Sequence, residues 1–134
     1  MRWTKTMTMV EAHAEGEIGR IVTGGIGRLP GETILETLNW LNRDGQALRH
    51  FLVNEPRGFA QMSSCLLLPP KHPDADTAFV IMQGDKTHAM SGSNTICLVT
   101  VLLETGQIPM VEPKTSLVID TASGLVKVDA ECRD

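Results

Sequence analysis

The sequence predicts an α+β domain in which several short strands wind round one buried helix. Three observations support this fold class. One stretch, residues 88–106, begins with small polar residues, then runs apolar on every side and stops at Gly106. Short apolar segments bounded by Gly and Pro turns are typical of strands. Residues 33–44 have apolar residues at helical spacing, which predicts an amphipathic helix. At 134 residues the chain has the length of one domain.

The predicted central helix begins at small polar residues. Ser91 or Ser93 can cap it by accepting a hydrogen bond from a free amide one turn further on. Gly106 suits the left-handed residue that follows a helix. A helix that is apolar all round must be buried. We therefore expect its N-terminus to open onto a cavity, where the helix dipole favours a carboxylate or phosphate. A purely structural serine cap is the alternative.

The remaining elements follow from turn residues and from the spacing of apolar residues. Gly16 and Gly19 bracket a turn between the first two strands, which form a predicted hairpin. Gly45 ends the amphipathic helix. The predicted strands are 7–13, 18–23, 61–68, 77–83, 116–121 and 125–131; the helices are 33–44, 91–105 and 46–53, the last as a short helix or an extension of the first.

Composition excludes several classes of function. The net charge is −4 and aromatic residues make up 4% of the chain, so neither a nucleic-acid footprint nor a base-stacking surface is expected. No apolar run approaches the roughly 20 residues of a membrane span, and no basic cluster suits a membrane surface. Three cysteines and four histidines lack metal-binding spacing, so we expect no metal and no cofactor. An odd cysteine count without a signal peptide predicts a cytoplasmic protein.

Four segments resemble the proline racemase superfamily. Met90-Ser-Gly-Ser-Asn-Thr-Ile-Cys97 is similar to the first active-site motif of that family, Met-Cys-Gly-His-Gly-Thr-Ile-Gly. The other three segments occur in the family's order: Glu11-Ala-His-Ala-Glu-Gly-Glu17, Asn54-Glu-Pro-Arg-Gly58 and Ala75-Asp-Thr-Ala-Phe79. The resemblance covers about residues 8–130. It implies a diaminopimelate-epimerase-like fold of two similar lobes, each a curved β-sheet around a central buried helix, with the active site between them.

Two departures from the family pattern bear on function. Ser91 stands where the family has its first catalytic cysteine, and Ser93 stands where it has a histidine. The family's second catalytic cysteine belongs to an Asp-x-x-Pro-Cys-Gly-Thr-Gly-Thr motif, which is absent from this sequence. Residues 1–134 therefore resemble an N-terminal lobe, and the C-terminal lobe of the same enzyme is the expected partner. Whether the chain also forms a homodimer is left open.

The serine leads to a specific prediction of activity. A hydroxyl is a poor base for an α-proton, so a site with Ser91 would keep one effective base. The resemblance then implies cofactor-independent dehydration of trans-3-hydroxy-L-proline to Δ1-pyrroline-2-carboxylate through its Δ2 tautomer. A hydroxyproline 2-epimerase or proline racemase-like isomerase that tolerates serine is the first alternative. A non-catalytic binding or assembly module is the second.

Five residues form the candidate site. Ser91 is the candidate catalytic residue. The backbone amides of Gly92, Ser93 and Asn94 are candidates for holding the substrate carboxylate and the developing enolate charge. His88 is a candidate for the rim of the cavity. The expected ligand is a small molecule, a hydroxyproline.

Four other residues are expected to have structural roles. His13 should order the turn that follows the first strand. Glu55 and Arg57 should form an ion pair that fixes their loop. Cys97 should be a buried and inert thiol inside the central helix.

Overall fold

The structure is a computed structural model, and it describes residues 1–133. In that range the chain forms three helices and seven strands. Their order is β1 (Thr8–Ala14), β2 (Glu17–Gly24), α1 (Ile34–Arg43), α2 (Gln46–Val53), β3 (Ser64–Leu68), β4 (Thr77–Met82), β5 (Thr87–His88), α3 (Gly92–Glu104), β6 (Lys114–Thr121) and β7 (Gly124–Glu131).

The strands form one mixed sheet. Its order is β1-β2-β3-β4-β6-β7, and β5 pairs with β4 beside this path. The chain crosses from β2 to the parallel β3 through α1 and α2, and from β4 to the parallel β6 through α3. The sheet curls into a half-barrel, and α3 contacts β1, β2 and β3. The predicted α+β class with a curved sheet around a central helix is confirmed.

Both faces of the central strands are covered. Successive side chains of a strand point to opposite faces. Ile21, Cys65 and Phe79 pack with α3 in one apolar cluster. Their chain neighbours Val22 and Leu66 pack with α1 and α2 in the other. This two-sided burial explains why β4 is apolar almost without interruption, since no face of it meets water.

Both predicted hairpins are present. β1 pairs antiparallel with β2, and β6 pairs antiparallel with β7. In the first turn, the Gly16 amide donates a hydrogen bond to Nδ1 of His13 at 3.1 Å. The expected structural role of His13 is therefore confirmed.

The segment after α1 forms a separate helix. Thr33 caps α1 by accepting a hydrogen bond from the Glu36 amide at 3.1 Å. Asp44 ends the helix, and Gly45 packs tightly against Trp40, where an added Cβ would lie 2.5 Å from the indole ring. This close approach requires glycine and separates α1 from α2. The alternative of a single extended helix is thus excluded.

Helix α3 is buried on most of its surface but not all round. Leu98 and Cys97 are among its buried residues, and Gly106 follows it with φ 71°, as predicted. The expectation of complete burial is wrong along one line of residues spaced four apart, because the half-barrel encloses the helix from one side only. These exposed residues are Gly92, Ile96, Thr100 and Glu104.

Three local expectations differ from the structure. Within residues 1–133 no ion pair joins Glu55 to Arg57. The Arg57 guanidinium instead lies 3.8 Å from the centre of the Phe51 ring, and its Nε donates to the Phe51 carbonyl at 2.9 Å. Because a guanidinium can stack on an aromatic ring and donate to a carbonyl, Arg57 does not require a carboxylate partner. Strand β3 starts at Ser64 rather than 61, and the short β5 was not predicted.

The buried and exposed sides of α3 can be compared by two matched substitutions. Leu98→Ala should lower the free energy of unfolding by about 2–5 kcal/mol, because Leu98 is fully buried and a cavity would remain. Ile96→Ala should change it by no more than about 0.5 kcal/mol, because Ile96 is 59% exposed. Urea unfolding of the 134-residue chain measures both values. Equal costs at the two positions would contradict the orientation of α3.

None of the helices in residues 1–133 is both long enough and apolar enough to cross a membrane.

Candidate active site

The candidate site lies at the N-terminus of α3, directly after β5. Gly92 is exposed, and Ser91 and Ser93 are half-buried. The first amides of a helix have no partner within it, and they carry the positive end of its dipole. This end of the helix meets solvent, since Met90, beside Ser91, is 39% exposed. A cavity at the helix N-terminus stays a prediction.

Ser91 is the N-cap of α3, with three polar atoms around its hydroxyl. The side-chain amide of Asn94 donates to Ser91 Oγ at 3.0 Å, and the Asn94 backbone N–H donates at 3.4 Å. The hydroxyl oxygen of Ser93 lies 3.3 Å away. The predicted cap is therefore confirmed. A catalytic role for Ser91 stays a prediction, and the cap does not exclude it.

Asn94 is the best-anchored side chain at the site. It is 1% exposed. Its carbonyl oxygen accepts hydrogen bonds from Ser63 Oγ at 3.0 Å and from Cys65 Sγ at 3.2 Å. Its backbone amide is engaged with Ser91, so among the three predicted carboxylate donors only Gly92 and Ser93 remain candidates for a free N–H. Sequence analysis considered the backbone of Asn94 and missed its side chain.

His88 is the last residue of β5, three residues before Ser91. Its Nε2 lies 2.8 Å from Asp85 Oδ1, and this hydrogen bond lowers the pKa of the Asp85 carboxyl below its usual range. Asp85 therefore fixes the orientation of the imidazole. A role for His88 at the rim of the substrate site stays a prediction.

The buried thiols have no sign of activation. Burial raises the pKa of the Cys65 thiol, and the nearby Cys97 adds to this effect. Burial likewise raises the pKa of Cys97, with a further contribution from the charge of Glu17. A nucleophilic or basic cysteine requires the opposite shift. The expectation of a buried Cys97 is confirmed.

This burial gives a prediction about alkylation. At about pH 8 an exposed thiol reacts readily with iodoacetamide. In the folded chain we expect slow labelling of all three cysteines, since Cys65, Cys97 and Cys132 are all free and buried. In denaturant all three should react at once. Mass spectrometry of timed samples measures the two rates, and rapid labelling of Cys97 in the folded chain would contradict its place in the core.

The geometry suits an anionic small molecule. Two unpaired amide positions and a helix dipole can hold a carboxylate, and a serine hydroxyl stands beside them. In residues 1–133 no three His, Cys, Asp or Glu side chains lie together as a metal site would require. Fold and site together define a diaminopimelate-epimerase-like α+β unit that exposes a helix N-terminus.

Comparison with known proteins gives the family. A model of the proline racemase family matches residues 9–134, and the chain belongs to this family. It is 57% identical over 136 aligned residues to the 4-hydroxyproline 2-epimerase of Agrobacterium fabrum strain C58, covering 100% of this chain and 39% of that protein. It therefore spans about two fifths of the length of such relatives.

Solved structures agree with this assignment. A hydroxyproline epimerase from Agrobacterium vitis, with bound trans-4-OH-L-proline, is 53% identical and superimposes with a TM-score of 0.96, over 100% of this chain and 40% of that one. A phenazine biosynthesis protein of the PhzF family from Bacillus anthracis is 16% identical with a TM-score of 0.57, and it covers 97% of this chain and 36% of that one. This second likeness concerns the fold alone.

The predicted dehydration of trans-3-hydroxy-L-proline is wrong. The relatives at 53–57% identity carry the name 4-hydroxyproline 2-epimerase, and the solved relative binds trans-4-OH-L-proline. The prediction depended on Ser91 being an ineffective base. That premise treated the hydroxyl as isolated, whereas the structure surrounds Ser91 Oγ with the donors of Asn94.

Proposed function

We propose that this chain is the N-terminal lobe of a two-lobe hydroxyproline 2-epimerase that needs no cofactor. The observation that carries the proposal is the hydroxyl of Ser91, held at the open N-terminus of α3 by the buried Asn94. The names of the 53–57% identical relatives support the reaction. A second lobe is included because the chain covers only 39% of such a relative.

Substrate binding follows from the helix terminus. The carboxylate of hydroxyproline would accept hydrogen bonds from the amides of Gly92 and Ser93. The helix dipole favours its negative charge. The same donors would stabilise the additional charge that develops on the carboxylate when the α-proton leaves. Ser91 then lies next to the reacting carbon.

Inversion at Cα requires proton transfer at two faces. One base removes the α-proton, and the electron pair of the C–H bond moves into the carboxylate as an enolate. An acid on the opposite face delivers a proton to Cα, which restores the C–H bond with the other configuration. We assign Ser91 to one face. The cysteine that the family carries in its C-terminal lobe would serve the other.

A serine can act as the acid–base group because hydrogen bonds from the protein stabilise its alkoxide form. Hydrogen bonds to a charged form stabilise that form and lower the pKa of the group. The two N–H groups of Asn94 would offer this support to an alkoxide at Ser91. The exposed apolar side chain of Met90 would exclude water once a second lobe covers it, which strengthens such hydrogen bonds.

The direct test is an assay of the two-lobe enzyme with trans-4-hydroxy-L-proline. Chiral chromatography should show conversion to cis-4-hydroxy-D-proline until both isomers coexist at equilibrium. Trans-3-hydroxy-L-proline should yield no pyrroline carboxylate. Formation of a pyrroline, or no turnover of any hydroxyproline, would overturn the proposal.

Because Cys65, Cys97 and Cys132 are free thiols, we also propose a reducing, cytoplasmic location.

A further inference from the structure

We propose that Asn94 is a positioning residue for Ser91, and that its side chain enables a serine to do the work of the family's cysteine. This inference rests on the proposed epimerase function. It concerns a contact that sequence analysis did not anticipate. The acting group remains Ser91, and Asn94 acts through it.

The contact of the Asn94 side chain with Ser91 exceeds what a cap requires. Capping needs only a backbone N–H of the first turn on the serine oxygen. The Asn94 backbone supplies it at 3.4 Å, while the side-chain Nδ2 makes a second and shorter contact at 3.0 Å. With both donors in place, Ser91 Oγ has its lone pairs occupied. Its own proton is then directed away from Asn94.

The Asn94 side chain is also anchored at its carbonyl oxygen. Ser63 Oγ and Cys65 Sγ both lie within hydrogen-bond distance of its carbonyl oxygen. A hydroxyl and a thiol can donate to a carbonyl, and in this orientation the amide NH₂ faces Ser91. Gln83 Nε2 lies 3.5 Å from Ser63 Oγ and donates to it. The hydrogen bonds therefore run in one direction, from Gln83 through Ser63 and Asn94 to Ser91, and such chains polarise their members cooperatively.

The motif around Ser91 pairs the serine with an asparagine. Asn94 stands where the motif with a catalytic cysteine has glycine, which has no side chain to donate. A thiol near a helix N-terminus reaches its anionic form without such help. A hydroxyl, which is far less acidic, requires additional donors. The serine and the asparagine thus form one functional unit.

The fold makes room for this unit. Gly19 of β2 faces the first turn of α3, and a Cβ there would lie 2.7 Å from Cys97 Sγ and 3.2 Å from Asn94 Oδ1. Any larger residue would push α3 away from the sheet or displace the amide. The absence of a side chain at Gly19 lets the buried amide lie against the sheet.

The test compares one substitution in two backgrounds of the two-lobe enzyme. In the natural background, Asn94→Ala should lower kcat/KM for hydroxyproline epimerisation by about 10²-fold, the usual effect of removing one donor from a developing anion. In a Ser91→Cys background, the decrease in kcat/KM caused by Asn94→Ala should be at least ten times smaller. The reason is that a thiolate needs no stabilising hydrogen bond from the amide. If Asn94 had only a structural role, Asn94→Ala would lower kcat/KM by the same factor in both backgrounds. That result would overturn the proposal.

A second measurement does not depend on the Ser91→Cys enzyme being active. Loss of a donor to the alkoxide raises the pKa of the hydroxyl, so the pH profile of kcat/KM should move upward by about one pH unit in Asn94→Ala. An unchanged profile at reduced activity would overturn the proposal. Asn94→Asp keeps the shape but replaces the donor by an acceptor, and it should be at least as impaired as Asn94→Ala. An Asn94→Asp enzyme with natural activity would likewise overturn it.

These outcomes are separate from the fate of the proposed function. If the natural enzyme does not epimerise hydroxyproline, the function fails before Asn94 is changed. If it does epimerise and the two-background and pH results contradict expectation, the function stands and only the role of Asn94 fails.

Discussion

Ser91→Ala is expected to lower kcat/KM for hydroxyproline epimerisation by about 10²- to 10⁴-fold in the two-lobe enzyme, the range of general acid–base catalysis. The substitution removes the oxygen that would accept and return the proton at one face of Cα. The amides of Gly92 and Ser93, which we propose bind the carboxylate, remain. The loss should therefore appear mainly in kcat, with KM changed by a few-fold at most. Initial rates followed by chiral chromatography measure both constants.

Two controls separate the loss of the Ser91 hydroxyl as a catalytic group from its loss as a helix cap. Loss of the Ser91 cap alone should cost about 1 kcal/mol of stability, which thermal unfolding detects. Ser93→Ala removes a hydroxyl 3.3 Å from Ser91 Oγ but leaves both Asn94 donors in place, so it should cost far less activity. An Ser91→Ala enzyme with natural turnover and a lowered unfolding temperature would show that Ser91 is a cap and nothing more.

The 134-residue chain by itself is expected to be inactive. Inversion needs a second acid–base group on the far face of the substrate. Cys97, the only cysteine within α3, is buried more than one turn into the helix, so it cannot reach that face. Ile96 and Met90 are also exposed beside the site, and we expect them to promote self-association of the isolated lobe.

The measurement is an activity assay of the purified 134-residue chain, with its size determined by light scattering. Background racemisation of hydroxyproline without protein sets the reference. A monodisperse monomer that epimerises hydroxyproline would overturn the two-lobe proposal. An inactive chain that regains activity when the separate second lobe is added would support it most directly.

Much of the fold could be predicted because the local signals agree with the packing. The apolar run at 77–83 predicted β4, and two-sided burial makes that run necessary. The predicted helix 33–44 contains α1, and Ser91, one of the two predicted caps, begins α3. Gly106 marked the end of α3. In each case a short stretch of sequence contains the whole physical cause.

The remaining features depend on contacts between distant residues. β5 has two residues, and its Thr87 is held by a pair of hydrogen bonds with Asn42 from α1. The exposure of Ile96 depends on how far the sheet curls around α3. The role of Asn94 depends on Ser63 and Cys65, some thirty residues earlier in the chain. The only local signal for it was a side chain at a position where the family motif has glycine.

The amide of Asn94 also has a consequence for isotope exchange. Ser91 is joined to the interior through Asn94, and a neutral amide donates and accepts hydrogen bonds without passing a proton onward. Deuterium that the proposed mechanism would transfer from Cα to Ser91 would therefore have no path through Asn94 to Ser63 or Gln83. It would be washed out on the side of Ser93 and solvent, so the retention of label would report how long solvent stays excluded there.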